Sequence, residues 1–375
     1  MNIAIVGCGY VADYYIATLR FHPELKLLGV MDRDAERAAL FSRLQKVPAY
    51  LTLEAVLADS RVEMVLNLTN PGAHYEISKA ALLAGKHVYS EKPLAMKMDQ
   101  ATELVELAEA RNLLITSAPC SLLGETAQTL WKVLREGTMG TVRVVYAEMD
   151  DGMVHRMPYR DWVSASGLPW PYKDEFEVGC TMEHAGYCLA WLAAWFGPAL
   201  SVTSFASLQV PDKVQDVQLD AGSPDFSVAC IQFASGVVAR VTCSIVAPHD
   251  HSLRIVADNG VLSTRDFWDY RSPVYSQRMI KLRSRVLLNP LRRRHQLLRI
   301  SKIKPLRTGP AWMDFCRGPA EVAAAIRVQR VCRLSARFSL HINELVLAIH
   351  GSGQHSGTHR MTTTFDPIEP MPLTK

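Results

Sequence analysis

The sequence predicts an α/β domain with a doubly wound parallel sheet, followed by an α+β domain whose strands pair antiparallel. Short apolar runs alternate with helical periodicity up to about residue 120, and the first run ends in a glycine turn, Gly7-x-Gly9. Beyond an apolar helix at about 180–196, strand-like stretches succeed one another at 201–208, 226–233, 237–246 and 253–257. A chain of 375 residues exceeds what one core usually serves, which places domains at 1–120 and 121–375.

Residues 2–6 are a buried strand, Gly7-Cys8-Gly9-Tyr10-Val11-Ala12 the turn after it, and Ala12, Tyr15, Ile16 and Leu19 one helical face. A second strand, 27–31, ends at Asp32, and a helix over 35–44 leads to a strand at 47–50. Val62 to Leu68 is the next strand, and the Asn70-Pro71-Gly72 turn leads to a helix that Gly85 caps. A strand at 87–90, a helix at 99–111 and a strand at 113–117 complete the alternation. In the second part, 125–136 is helical, a strand starts near Val142, and 158–177 reads as a long ordered loop. Helices near 318–329 and 340–350 precede a polar tail.

Composition narrows the class. Hydrophobic residues make up 49% and charged residues 21%, which excludes a disordered chain. No basic segment followed by a long apolar stretch opens the sequence, and nowhere do 18 apolar residues run together, so a cytoplasmic protein is expected. The eight cysteines include no CxxC pair, which predicts reduced thiols and no metal. Between Asp269 and Asp314 stand twelve Lys or Arg and no acid, leaving 29 basic against 37 acidic residues elsewhere.

Gly7-x-Gly9-x-x-Ala12 fits the dinucleotide fingerprint, with Gly7 for the tight turn, Gly9 for backbone approach to a pyrophosphate and Ala12 for close helix packing. It follows a strand and opens a helix whose N–H groups face an anion, and Asp32 lies 23 residues after Gly9. Asp32 would accept hydrogen bonds from the adenosine ribose and repel a 2′-phosphate, which favours NAD over NADP; Arg33 keeps NADP open.

With this fingerprint, Thr69-Asn70-Pro71 before His74, and Ala84-Gly85-Lys86-His87-Val88-Tyr89-Ser90-Glu91-Lys92-Pro93 in place, the sequence resembles the glucose-fructose oxidoreductase / inositol dehydrogenase (Gfo/Idh/MocA) family over essentially its whole length, least between 265 and 312. The resemblance implies a Rossmann domain, then a large, predominantly antiparallel open sheet, and a homodimer or homotetramer. It implies that Thr69, Asn70, His74 and Glu91 belong to the cofactor site, and that Lys92 lies near the nicotinamide and the reacting hydroxyl, with a cis bond before Pro93. Thr69, Asn70 and His74 also read as ordinary turn residues.

The family's second signature is an Asp and a His four residues apart on a helix; counted back from Phe196-Gly197, those positions hold Glu183 and Tyr187. Both depart from the commonest pattern, although some members carry Tyr there. Spacing of four puts them on one face, with His184 turned about 100° away, a poorer catalyst but a candidate substrate contact. A phenol ordinarily titrates near pH ~10 and takes part in proton transfer when a cation such as Lys92 is close. A buried core tyrosine is the plain alternative for Tyr187. Many relatives also carry an Arg where this chain reads Cys120-Ser121-Leu122-Leu123.

Substrate clues are coarser. The segment from Tyr159 through Trp162 to Trp170-Pro171-Tyr172-Lys173 mixes rings with charges, as sugar binding requires, and loop packing explains it nearly as well. The basic stretch at 271–313 interleaves cations with Leu and Ile, which suits an anionic substrate or peripheral contact with an anionic surface; a solvated charged insertion is the alternative. It lacks a nucleic-acid motif, so neither DNA nor RNA binding is expected. The reading is an NAD(P)-dependent oxidoreductase acting on a secondary alcohol or ketone of a sugar, sugar nucleotide or polyol. The competing classes are a hydrolase or epimerase that recycles its NAD internally and a non-catalytic dinucleotide sensor, against which the retained Glu91-Lys92-Pro93 argues.

Overall fold

The computed structural model describes all residues except 215–222, 301–305, 309–310, 354–356 and 374–375. It divides into two compact units. Unit 1 comprises Met1–Cys120, Pro158–Asp174 and Asp314–Leu347, and unit 2 comprises Ser121–Met157, Glu175–Met313 and Ala348–Lys375.

Unit 1 is built on five parallel strands. In chain order it runs β1 (Asn2–Val6), α1 (Ala12–Leu19), β2 (Lys26–Met31), α2 (Ala35–Gln45), α3 (Leu53–Ala58), β3 (Met64–Asn67), α4 (His74–Leu83), β4 (His87–Ser90), α5 (Met98–Ala110) and β5 (Ile115–Ser117). The strands lie in the order β2-β1-β3-β4-β5. Every residue of β3 and nearly all of β1 and β4 are buried, as strands covered by helices on both faces must be, and this is why they read as continuous apolar runs. The predicted strand at 47–50 contributes a single parallel bridge, Val30 to Ala49. The chain leaves β1 toward β2 and later returns to its other side as β3, so the carboxyl ends of β1 and β3 form the topological switch point where such sheets bind ligands. Val6, Val65, Val88, Leu104 and Ile115 anchor the core.

Unit 2 carries a ten-stranded sheet. Its elements are α6 (Glu125–Arg135), β6 (Val142–Asp150), α7 (Tyr172–Val178, beginning in unit 1), a π-turn over Thr181–Ala185, α8 (Gly186–Phe196), β7 (Ala199–Ser207), β8 (Phe226–Phe233), β9 (Val238–Ser244), β10 (Leu253–Ala257), β11 (Gly260–Thr264), β12 (Val274–Leu282), β13 (Arg285–Leu288) and β14 (Arg293–His295). A two-stranded ribbon, β15 (Leu306–Thr308) with β16 (Ala311–Met313), precedes α9 (Arg317–Arg327) and α10 (Ala336–His350), which belong to unit 1 as far as Leu347, and β17 (Thr358–Arg360) comes last in unit 2. The sheet order is β13-β12-β11-β10-β6-β9-β8-β7-β17, with β14 also on β12, and every pair is antiparallel except β6 with β9. Along β8, Ser227, Ala229, Ile231 and Phe233 are buried while Cys230 and Gln232 are exposed, the alternation of a sheet with one covered face. Helix α8 is apolar all round and almost wholly buried.

Two local readings are corrected. Residues 158–177 are not one loop: a 3-10 turn at Tyr159–Asp161 and α7 interrupt them, because Phe176 buries its ring and anchors a helical turn. The helix expected over 180–196 is instead wound as the π-turn followed by α8. The basic stretch forms β12, β13 and β14 at the edge of the sheet, while Lys302 and Lys304 lie outside the described residues. None of the eight cysteines is in a disulfide, and no helix among the described residues is long and apolar enough to cross a membrane.

Candidate active site

At the switch point of unit 1, Gly7 holds φ +98°, and a Cβ there would stand 2.6 Å from the carbonyl carbon of Leu68 and 2.7 Å from the Thr69 nitrogen. Only glycine fits, for conformational and steric reasons together. The fingerprint turn therefore rests against the end of β3, next to Thr69 and Asn70. A Cβ on Gly9 would meet nothing within 4 Å, so here the backbone opens onto free space at the start of α1. Tyr10 and Val11 follow partly buried, and Ala12 is fully buried beneath them.

Asp32 is fixed by two backbone donors: the Cys8 N–H gives a bond of 2.7 Å to Oδ2 and the Asp34 N–H one of 2.8 Å to Oδ1. Its carboxylate is thus tied to the fingerprint turn, with further lone pairs available to ribose hydroxyls. Burial, and next the charge of Asp32, push the Cys8 thiol up to about 12, so Cys8 stays a neutral packing group. Arg33 is exposed beside it. Glycine space, helix start and anchored acid fit a bound dinucleotide.

The segment after β4 is held tightly. Glu91 is 5% exposed, and its carboxylate accepts the Tyr15 hydroxyl at 2.6 Å and the Lys92 N–H at 3.1 Å. Burial and the Glu91 charge keep Tyr15 protonated, hence a donor. The Lys92–Pro93 peptide is cis, and Lys92 is half-buried. His74 is fully buried, with Nδ1 2.7 Å from the Pro93 carbonyl and Nε2 2.8 Å from that of Thr69. It braces the loop after β3 to the loop carrying Lys92. Thr69 donates its hydroxyl to Asn67 at 2.7 Å, and Asn70 bonds Asp174.

The aromatic segment 158–174 packs within the same unit. Trp162 and Trp170 rings lie 5.0 Å apart, Tyr159 and Tyr172 rings 5.2 Å apart, and the tip is tied to α1 by bonds of 3.0 and 2.6 Å from Ser166 to Asp13. Lys173 is exposed. The structure therefore groups Trp162, Trp170 and Lys173 with the unit that carries the dinucleotide fingerprint.

Unit 2 brings two of the other predicted residues, His184 and Tyr187, to Trp268, which the sequence reading missed. The Tyr187 ring lies 4.8 Å from that of Trp268, His184 5.8 Å and His251 4.6 Å. His184 and Tyr187, three residues apart, thus meet one ring, which the assumption of a uniform α-helix starting at 180 had obscured. Glu183, 4% exposed, sits in the π-turn one residue earlier. Behind the ring, Asp151 Oδ2 is 3.5 Å from His184 Nε2, and Asp151 Oδ1 is 3.1 Å from His251 Nε2. Asp266 Oδ1 lies 3.6 Å from His251 Nδ1 and accepts the Trp268 N–H at 2.7 Å. Burial opposes a charge on His251, but Asp151 and then Asp266 outweigh it and raise its pKa to about 9. Burial likewise pushes Asp151 and Asp266 up, and their histidine neighbours bring both below the ordinary carboxylate value. The indole Nε1 of Trp268 is buried and has no hydrogen-bond partner among the described residues. The His249-x-His251 spacing on one edge was the sequence signal for this cluster.

Asp151, His249 and His251 also offer ligand atoms within 4.8 Å of one another. The same carboxylate and imidazole groups make up the Asp151–His251 ion pair.

The model of the oxidoreductase family with NAD-binding Rossmann fold, GFO/IDH/MocA, matches residues 1–118, and that of the GFO/IDH/MocA C-terminal domain matches residues 127–263. The chain is 28% identical over 267 residues to the trans-1,2-dihydrobenzene-1,2-diol dehydrogenase of Bos taurus, covering 70% of this chain and 73% of that one. Among solved structures it resembles an aldose-aldose oxidoreductase from Caulobacter crescentus (TM-score 0.75, 16% identity, 96% and 99% coverage). It also resembles a 3-ketoreductase from Actinomadura kijaniata in complex with TDP-benzene and NADP (TM-score 0.71, 20% identity, 93% and 96% coverage). With both domain models matched in order along one chain, and the fingerprint, Asp32 and Glu91-Lys92-Pro93 placed as described, the protein belongs to the Gfo/Idh/MocA family and is an NAD(P)-dependent oxidoreductase.

Proposed function

We propose that the protein interconverts a secondary alcohol and a ketone on a sugar, sugar nucleotide or related polyol, using NAD in preference to NADP. The observation that carries this reading is the Trp268 cluster: an aromatic face flanked by Tyr187, His184 and an anchored ion network, with a buried indole N–H left to donate. Sugar C–H faces stack on such rings, and hydroxyls need polar partners beside them. The names of the relatives, which include an aldose oxidoreductase and a ketoreductase, support the same substrate class.

Bound NAD would take the hydride from the alcohol carbon. Gly7, Gly9 and the start of α1 would hold the pyrophosphate, and Asp32 the adenosine ribose. In the oxidation direction the hydroxyl proton must leave as the hydride does, and Tyr187 is the proposed acceptor. Lys92 is the proposed cation that stabilises the developing oxyanion, and Glu183 the group that orients a neighbouring hydroxyl. No metal is called for.

Steady-state assays with NAD or NADP and a panel of aldoses, polyols and nucleotide sugars test the reading. Turnover with at least one panel member, at a KM raised about tenfold or more in Trp268→Ala, supports it. Turnover confined to substrates without vicinal hydroxyls contradicts it.

A further inference from the structure

Strands β12 and β13 form a finger at the end of the unit 2 sheet. Pairing of β12 with β11 stops at Arg278 opposite Gly260; from Ile280 to Leu287 the two strands pair only with each other among the described residues. Cross-strand partners share a face, so Ile280, Leu282 and Leu287 lie on one side and Met279, Val286 and Leu288 on the other. Both sides are exposed: Leu282 is 60%, Val286 65% and Leu287 41% accessible, and Leu291 just beyond is 79% accessible. A two-stranded ribbon with apolar side chains on both faces has no core of its own to bury them in.

The charges around these side chains have one sign. Lys281, Arg283 and Arg285 surround the tip, all exposed and with no ion pair among the described residues, and Arg292, Arg293 and Arg294 follow after β13. No acid occurs from residue 270 to 313. Some surface arginines outside the finger do pair with carboxylates, as Arg143 does with Asp258 and Arg61 with Asp59, whereas no acid lies near enough in sequence to do so here. The finger therefore combines unpaired cations with apolar groups that alternate among them, and both would be satisfied at one kind of surface. We propose that this hairpin docks the protein on an anionic lipid bilayer. Leu282, Val286 and Leu287 enter the boundary between headgroups and acyl chains, and the arginine stems reach back to the phosphates. The area is small and the charge is screened by salt, so docking is peripheral and reversible.

The test uses the full-length protein and sedimentation with vesicles of phosphatidylcholine, with and without about a third phosphatidylglycerol. Binding to the anionic vesicles at low salt is expected, with little on neutral ones and release at high salt. Leu282→Ser with Val286→Ser and Leu287→Ser, and separately Arg283→Glu with Arg285→Glu, should each weaken partitioning by about tenfold or more while leaving NAD binding unchanged. Unchanged NAD binding shows that the variants fold. Absence of wild-type binding at low salt overturns the proposal, as does binding that both variants retain. So does a wild-type oligomer that the serine substitutions dissociate, since the finger is then covered by a second copy of the chain.

Discussion

The ring of Tyr187 packs against that of Trp268 with centroids 4.8 Å apart and planes inclined at 57°. Trp268 is held in place by its backbone bond to Asp266, and its indole N–H has no hydrogen-bond partner among the described residues. If this ring is a platform for substrate, Trp268→Ala raises KM about tenfold or more with a smaller effect on kcat, and leaves the dissociation constant of NAD unchanged. Trp268→Phe keeps the stacking face and loses the donor, and should fall between the two in a steady-state assay.

The two fingerprint glycines should fail in different ways. Gly7→Ala forces a side chain into backbone at 2.6 Å and a left-handed conformation, which alone costs roughly 1–2 kcal/mol, so the melting temperature falls together with cofactor binding. Gly9→Ala meets no protein atom. Its melting temperature should stay within a few degrees of the wild type while NAD affinity drops about tenfold or more. Calorimetry of unfolding and of NAD titration on the same preparations separates these outcomes.

Asp32 is the residue proposed to select between the cofactors. Its carboxylate is fixed by the Cys8 and Asp34 N–H groups, so it cannot swing away from a 2′-phosphate. Asp32→Ser should shift the ratio of kcat/KM for NAD over NADP by about tenfold or more toward NADP, with exposed Arg33 left to receive the phosphate. An unchanged ratio would remove Asp32 from cofactor selection.

His251 gives unit 2 a pH dependence. Because its pKa is raised to about 9, the folded state binds a proton that the unfolded chain releases near pH ~6.5. Its stabilising contribution is therefore complete below that lower value and is lost as pH rises through about 9. The stability advantage of wild type over His251→Gln should shrink by on the order of 2–3 kcal/mol between pH ~6 and ~9.5, as read from urea unfolding curves. EDTA should leave both the curves and the turnover unchanged, since the proposed chemistry calls on no metal.

Much of unit 1 was legible because its signals are local. Gly7, Gly9, Ala12 and Asp32 lie within one βαβ unit, and their spacing alone ties turn, helix start and acid together. The strand pattern of unit 2 was legible for the same reason, as burial alternates along β8 with period two. The Trp268 cluster was not, because Asp151, His184, His251 and Asp266 come from four separate stretches and meet only through the sheet. His184 was read as turned away because sequence spacing was converted with an α-helical angle, whereas residues 181–185 wind as a π-turn. The basic stretch gave its charge to the sequence reading but not its shape; the pairing of Leu282 with Arg285 defines the finger only once the strands are seen.

The most direct test of the proposed activity follows reduced-nicotinamide absorbance with the sugar and nucleotide-sugar panel for wild type, Lys92→Ala and Tyr187→Phe side by side. A dehydrogenase with the proposed roles turns over with at least one panel member, and both variants lose about a hundredfold or more in kcat while still binding NAD. Wild-type protein that binds NAD tightly yet turns over nothing, or a turnover that Lys92→Ala and Tyr187→Phe leave intact, would contradict it.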